Sequence, residues 1–456
     1  MVRETSPTRS GYSYEDVLLP ALIPANASSA CVHDRRLRRV LAAAGLELRD
    51  EGADLELGDA ERVTGEAPIV IVPLSARSEL PLGDLARRGI ASVQCLILTL
   101  RAYWRLRALG YARLRVVKWQ LSREMLADPL RSGSLRPAPR AFVVASKNEP
   151  RASVLDEVLA QARRRSGLRL TPGRVVPGHS LVVCCDDGIL RLLLKPAAQV
   201  LVRSHAVLER IEREAPEGLR AIAPRALACE ELGSVRWSLE ERLSGTRAPT
   251  PLRNTLLEQA IGAIEMISQF GLSREGELDF QSPAEAIATD VPQVAESVYR
   301  LARTLELRLA GLPSVAAHGD FWSGNLLVRG EQLVGVVDWD GFADASPPLF
   351  DAIHFYLNRR PVPPHRWGDA FVKRVLPWAR AGGDAVSRRL CASLDLSPSP
   401  ELLELLAWAY WLRRASTMLE APCDRRDDMR WVDRCIRHVL VAWEPSLTSR
   451  SRALSA

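Results

Sequence analysis

Long apolar runs, paired cysteines and charge of a single sign are all missing from this 456-residue sequence. No stretch reaches the roughly 18 consecutive apolar residues that a membrane-spanning helix needs, and the opening MVRETSPTRSGYSYED has no apolar centre of the signal-peptide kind. A cytoplasmic chain with no membrane partner is the expectation. The eight cysteines fall at irregular spacings, and the one close pair, Cys184-Cys185, sits in a strand pattern where adjacent side chains point to opposite faces. Neither a disulfide framework nor a zinc ligand set can be read from them. Lys and Arg total 61 against 55 Asp and Glu, a net charge of +6, and the signs alternate in runs such as DRRDDMR at 424–430. Nucleic-acid binding needs a stripe of one sign, so no nucleic-acid partner is expected. What remains, at 47% hydrophobic and 25% charged, is a globular composition long enough for two or three domains, with no internal repeat.

Residues 1–150 read as a separate small α/β domain. Apolar runs at 69–75, 114–122 and 141–146 have strand character, and 92–110 carries helical periodicity with an Arg-rich outer side. The segment holds no Gly-rich phosphate loop, metal-ligand cluster or nucleophile signature, and its role is not legible. A break falls at KNEP (147–150), after which Ser153 and Asp156 form a capping pattern for the helix SVLDEVLAQARRR. Residues 151–245 then alternate short strands with one helix near 199–213, an α+β lobe. Residues 246–456 turn helical, with amphipathic runs at 253–270, 289–311, 367–388, 399–420 and 428–443, and the last residues read as a frayed tail.

Within the helical block one stretch breaks the pattern: AAHGDFWSGN at 316–325, followed by LVGVVDWD at 333–340. A strand–turn–strand hairpin through NLLVRG and LVGVVD would bring Asp320, Asn325 and Asp338 to one end of the ribbon. Carboxylate and amide oxygens are the ligands that Mg²⁺ prefers, and Asp338 with Asn325 fits that role. Asp320, at the mouth of the loop, is placed to accept the proton of a substrate hydroxyl while the metal screens phosphates. These parts together describe phosphoryl transfer.

The Asp-x-x-x-x-Asn spacing equals that of the protein-kinase catalytic loop. HGDFWSGN followed by VVDWDGFADASPPLFD more closely resembles the aminoglycoside phosphotransferase and choline kinase-like family, whose ordered hallmark is filled here by Asp320, Asn325, Asp338, Trp339, Asp340, Pro347 and Asp351. The resemblance implies an α+β, protein-kinase-like bilobal fold over about 151–456, with ATP between the lobes. It also implies that His318 and Gly319 shape the catalytic loop, Asp320 is the base, Asn325 and Asp338 hold Mg²⁺, and Asp351 buttresses the site from the following helix. Lys195, closing GILRLLLK, resembles the lysine that holds the α- and β-phosphates. EERLSG resembles the hinge, whose backbone near Glu241 and Leu243 would meet adenine, and TPGRVVPGHS at 171–180 would cover the phosphates.

One departure stands out. Family members carry a helix glutamate that pairs with the lysine, whereas RSHAVLERI at 203–211 places Ser204 in that register. Lys195 then lacks its partner unless another acid supplies it. For the acceptor, Asp340, Asp344 and Trp322, with Trp339 and Tyr356, could line a cleft for a cationic or hydroxylated small molecule. Trp408, Tyr410 and Trp411 could add to it or belong to the core. Aminoglycosides, amino alcohols and sugars all stay open, as does oligomeric state. The readings are an ATP- and Mg²⁺-dependent small-molecule O-phosphotransferase fused to the leading α/β domain, or a kinase-like module that binds a nucleotide or ligand without transfer. The absent glutamate favours the second, and the intact Asp320, Asn325 and Asp338 oppose it. The leading domain could also be an enzyme whose product the kinase-like part modifies.

Overall fold

The computed structural model describes residues 20–23, 25–32, 35–57, 64, 67, 69–75, 108, 113–118, 139–146, 152–177, 180–195, 198–274, 276–360, 362–420 and 428–443. Apolar runs bounded by turn residues become strands in the first of these. β1 (Ser29–Val32), β2 (Glu47–Leu48), β3 (Leu55–Leu57), β4 (Ile69–Ser75), β5 (Arg113–Lys118) and β6 (Pro139–Ser146) form a six-stranded sheet in the order β2-β1-β3-β4-β6-β5. The neighbours from β2 to β4 are parallel, and β6 runs antiparallel to both β4 and β5. Parallel neighbours need a crossover, and α1 (Arg35–Ala43) supplies the one from β1 to β2. The runs expected as strands at 69–75, 114–122 and 141–146 lie in β4, β5 and β6, and the remainder of the second run, 119–122, lies outside the described residues. Of the helix expected over 92–110 only Ala108 is described, and it is helical; the tail after 443 lies outside the described residues.

α2 (Val154–Ser166) opens on the anticipated capping box, with Ser153 and Asp156 bonded reciprocally, and closes on Gly167 in the left-handed conformation. β7 (Pro172–Pro177), β8 (Leu181–Cys185), β9 (Gly188–Leu194), β10 (Ala226–Leu232) and β11 (Val235–Glu241) follow as an antiparallel sheet ordered β10-β11-β9-β8-β7. Between β9 and β10 run α3 (Gln199–Glu214) and α4 (Glu217–Ile222). One face of this sheet, with Leu181, Val183, Leu190, Leu192, Trp237 and Leu239, shares a single buried cluster with α2 and with Leu55, Leu57, Ile69 and Ile71 of the first sheet. Backbone bonds reinforce it, Ala25 N–H to the Ala152 carbonyl at 3.0 Å and Val154 N–H to the Ile23 carbonyl at 2.9 Å. Each fully buried Leu or Val contributes about 1.5–3 kcal/mol, so the two sheets depend on each other for stability.

Contact density divides the described chain into two units, one of 20–205 and 226–242 and another of 206–225 and 243–443. The second holds β12 (Thr246–Arg247), α5 (Asn254–Phe270), α6 (Gln281–Asp290), α7 (Ala295–Arg308), β13 (Val315–Ala317), β14 (Leu326–Arg329), β15 (Gln332–Val336), β16 (Ala343–Ser346), α8 (Phe350–Asn358) and α9 (Pro400–Glu420). The periodic run at 289–311 starts as a helix only at Ala295, because Pro292 opens a separate 3₁₀ turn after α6. The run at 367–388 is cut by Gly382 and Gly383, both at positive φ, and helix resumes at Ala385 behind the Asp384 cap. Trp408, Tyr410 and Trp411 of α9 are fully buried, with Trp408 edge-on to Trp411 and Trp443. They are core, which explains why α9 is apolar nearly all round.

Candidate active site

His318, Gly319 and Asp320 follow directly on the buried strand β13. Gly319 has φ 82°, and a Cβ there would lie 1.9 Å from the Gly341 carbonyl oxygen. The loop carrying Asp320 and the loop after β15 therefore meet backbone to backbone, and only glycine permits the approach. Asp351, in the first turn of α8, fixes the same loop: its Oδ2 accepts the His318 N–H at 2.6 Å and its Oδ1 accepts the Gly319 N–H at 2.9 Å. Burial pushes the Asp351 carboxyl up to about 7, against the pull of those two donors. His318 is likewise buried, and its Nδ1 accepts the Asp320 N–H at 3.3 Å, which puts the ring proton on Nε2. Burial holds this imidazole down at about 4 despite the nearby Asp320 charge, so it stays neutral.

The hairpin β14–β15 pairs Leu326 with Val336, and Val337 N–H donates to the Asn325 carbonyl at 2.9 Å. That register sets Asp338 one residue beyond the backbone partner of Asn325. The Asn325 amide in turn donates to the Asp320 carbonyl at 2.9 Å and to Asp320 Oδ2 at 3.1 Å. Asp338 is exposed and takes φ 70°, a region uncommon for residues other than glycine, at the head of the turn Trp339–Gly341. The buried Trp339 indole anchors that turn by donating to the Val336 carbonyl at 2.8 Å.

Asp320 Oδ1 meets two groups that the sequence did not announce. Arg414 Nη2, from α9, donates to it at 2.7 Å, and His354 Nε2, from α8, stands 3.2 Å away. Burial drives the Asp320 carboxyl up, yet Arg414 and His354 outweigh burial and hold it well below the usual carboxylate range. His354 itself stays below the ordinary histidine range, through burial and the adjacent Arg414. The i, i+3 spacing from Asp351 could have suggested His354. Arg414, which lies 94 residues from Asp320, left only the weak signal of a cation within a largely apolar helix.

In the other unit, Lys195 at the end of β9 is paired with Glu231 of β10, Nζ to Oε2 at 2.5 Å, with both side chains well exposed. The acid thus comes from a neighbouring hairpin, while Ser204 is buried on α3. Glu241 pairs with Gly188 across β11–β9, and the Leu243 side chain rests on Gly335. TPGRVVPGHS spans the β7–β8 hairpin, of which 178–179 lie outside the described residues. Trp322 lays its ring against Gly324 of its own loop. Asp340 is half-buried, whereas Asp344 is exposed and ion-paired with Arg210.

Among the described residues no three His, Cys, Asp or Glu side chains gather as a metal site. One carboxylate and one amide carbonyl, from Asp338 and Asn325, instead suit Mg²⁺, which takes one or two protein ligands and completes its shell with phosphate and water.

A model of the phosphotransferase enzyme family matches residues 186–386, a span that includes Lys195, His318, Asp320, Asn325, Asp338 and Asp351. That segment is similar to the phosphotransferase enzyme family. The matched span is consistent with a kinase-like phosphotransferase fold, and the described N-terminal sheet precedes it within one buried cluster. Solved structures similar to it include the aminoglycoside phosphotransferase APH(3'')-Id from Streptomyces rimosus ATCC10970, 13% identical over 57% of this chain and 97% of that one, with a TM-score of 0.39. ADP-bound APH(2'')-Ib is 12% identical over 62% and 96%, TM-score 0.39, and a thermostable mutant of APH(4)-Ia is 16% identical over 62% and 98%, TM-score 0.38. At TM-scores this low, these likenesses carry no part of the assignment. No curated protein matches the chain. Among the described residues no helix is long and apolar enough to cross a membrane.

Proposed function

We propose that the chain is a cytoplasmic ATP- and Mg²⁺-dependent phosphotransferase that moves the γ-phosphate to a hydroxyl of a small molecule of aminoglycoside, amino alcohol or sugar type. Asp320 is the base. The acceptor oxygen attacks the γ-phosphorus, its proton passes to Asp320, the bond from the γ-phosphorus to the bridging oxygen breaks, and ADP leaves with that oxygen. Mg²⁺, held by Asn325 and Asp338, would screen the phosphate charge during transfer. Lys195 would hold the α- and β-phosphates, and the backbone near Glu241 and Leu243 the adenine. Residues 151–245 would be the small lobe and 246–456 the helical lobe, while 1–150, expected as a separate domain, would instead be an α/β segment whose described sheet shares its core with the small lobe. Asp340, Asp344 and Trp322 are the acceptor-side candidates, and Asp344 would have to release Arg210 to meet a cationic acceptor.

The observation that carries this reading is the direct contact of Asp320 with Asn325 at the open end of a hairpin whose register also delivers Asp338. A second reading, a module that binds nucleotide without transfer, draws support from Lys195 meeting Glu231 rather than a helix acid. Thermal melts with ATP, with and without Mg²⁺, separate the two when joined to transfer assays from labelled ATP onto a panel of alcohols and aminoglycosides. A metal-dependent shift with transfer supports the enzyme. A shift without transfer to any acceptor supports the binding module.

A further inference from the structure

Arg414 reaches the catalytic loop with two nitrogens. Nη2 donates to Asp320 Oδ1 at 2.7 Å, and Nη1 donates to the Gly319 carbonyl at 3.1 Å. One planar group therefore fixes the carboxylate and the backbone just before it, a task for which a lysine ammonium has neither the fork nor the plane. His354 Nε2 stands 3.2 Å from the same Oδ1, and His354 Nδ1 lies 2.8 Å from the Tyr410 hydroxyl, one helical turn before Arg414 on α9. In the tautomer with its hydrogen on Nε2, His354 donates to Asp320 and accepts from the Tyr410 hydroxyl at Nδ1; Asn358 Nδ2 also lies 3.1 Å from Nε2. Oδ1 is thus saturated from behind, and Oδ2 faces Asn325 at 3.1 Å.

Removing a cation from water is costly and is retained where its partners hold it in one geometry. We propose that Arg414, assisted by His354, is the positioning residue of this site: it locks Asp320 so that only Oδ2 is offered to the acceptor hydroxyl. The proposal rests on the phosphotransferase reading. It assigns to α9, far along the chain from the recognised motif, control over the orientation of the base. A displacement of about 1 Å in a reacting group can cost on the order of a hundredfold in rate.

The test uses the full chain with Arg414→Met and Arg414→Lys, measured by transfer from labelled ATP and by crystal structures of each variant. Arg414→Met lowers kcat by on the order of a hundredfold while the KM for ATP stays within about twofold. Arg414→Lys, which keeps the charge but not the fork, falls between the two. In the crystal, the Asp320 carboxylate of Arg414→Met has rotated away from Asn325. An unchanged kcat, an equal loss in kcat and ATP affinity that tracks a lowered Tm, or a carboxylate still in its original place overturns the proposal. Should Arg414→Met fail to fold, Arg414→Lys decides: unchanged kcat overturns it. Should the native chain transfer to no acceptor, the phosphotransferase reading fails, and the Asp320 orientation in the variant crystals still decides whether Arg414 positions it.

Discussion

Asp320 and Lys195 are held in opposite ways. Asp320 is gripped by Arg414, His354 and Asn325, which come from α9, α8 and its own loop, and its backbone is pinned through Asp351 and the glycine crossing at Gly319 and Gly341. Lys195 has one exposed carboxylate, Glu231, which it shares with Arg236. The first arrangement is preorganised, so that little rearrangement accompanies charge development at the reacting oxygen. The second is screened by solvent, so that on the proposed reading Lys195 would exchange Glu231 for a phosphate oxygen at small cost. On that reading, precision would be concentrated where the bond is made, and adaptability where a large anion enters.

Removing residues 1–148 has the largest expected effect, and it falls on the Lys195 side. The sheet that carries Lys195 loses the packing that Leu55, Leu57, Ile69 and Ile71 provide, and the shortened chain is recovered aggregated or without a cooperative melt. A shortened chain with the Tm of the full protein would show that the two sheets are independent. Next comes Asp320→Asn: kcat in the labelled-ATP assay drops by about 10²- to 10⁴-fold while stabilisation by nucleotide persists. Asp338→Ala reverses that split. It removes the Mg²⁺-dependent part of the stabilisation by nucleotide, which totals about 2.7 kcal/mol when nucleotide stands at 100 times its Kd.

Asp351→Asn is smaller and has a signature in pH. Replacing one acceptor oxygen by an amide N–H opposes a backbone donor and costs about 1–3 kcal/mol. Because the folded value for Asp351 is raised to about 7, its contribution to stability is full below the unfolded value of about 4 and is lost as pH rises through about 7. His318, held down at about 4, has the opposite trend, full above about 6.5 and lost as pH falls toward about 4. The two offset each other in the native chain, so urea melts of Asp351→Asn between pH 4 and 7 show a steeper loss on acidification. Equal slopes would contradict the assignment. Smallest is Glu231→Gln, for which the KM for ATP stays within about threefold, as expected for a solvent-screened pair. A kcat loss on the scale of Asp320→Asn would erase the contrast between the two regions.

What was legible in the sequence follows the same division. Asp320, Asn325 and Asp338 are joined by one hairpin, so a local spacing and a two-residue side-chain period were enough to bring them together on paper, and Asp320 and Asn325 meet in a direct hydrogen bond. Arg414 and Glu231 were not legible, because their partners are set by helix and hairpin packing over long separations. The common core of the two sheets was hidden for a related reason. Alternation in Leu181–Cys185 tells which side chains share a face, and nothing in it names what covers that face. The aromatics of α9 read as core more readily than as cleft, and their complete burial places them in the core.

The most direct measurement is a crystal structure of the full chain with Mg²⁺ and a non-hydrolysable ATP analogue. The account predicts a cation at about 2.0–2.1 Å from the Asn325 amide oxygen and an Asp338 carboxylate oxygen, sharing phosphate oxygens of the nucleotide, with Asp320 Oδ2 turned toward the γ-phosphate. Nucleotide bound with its metal remote from both residues, or with Asp320 facing away from the γ-phosphate, would contradict it.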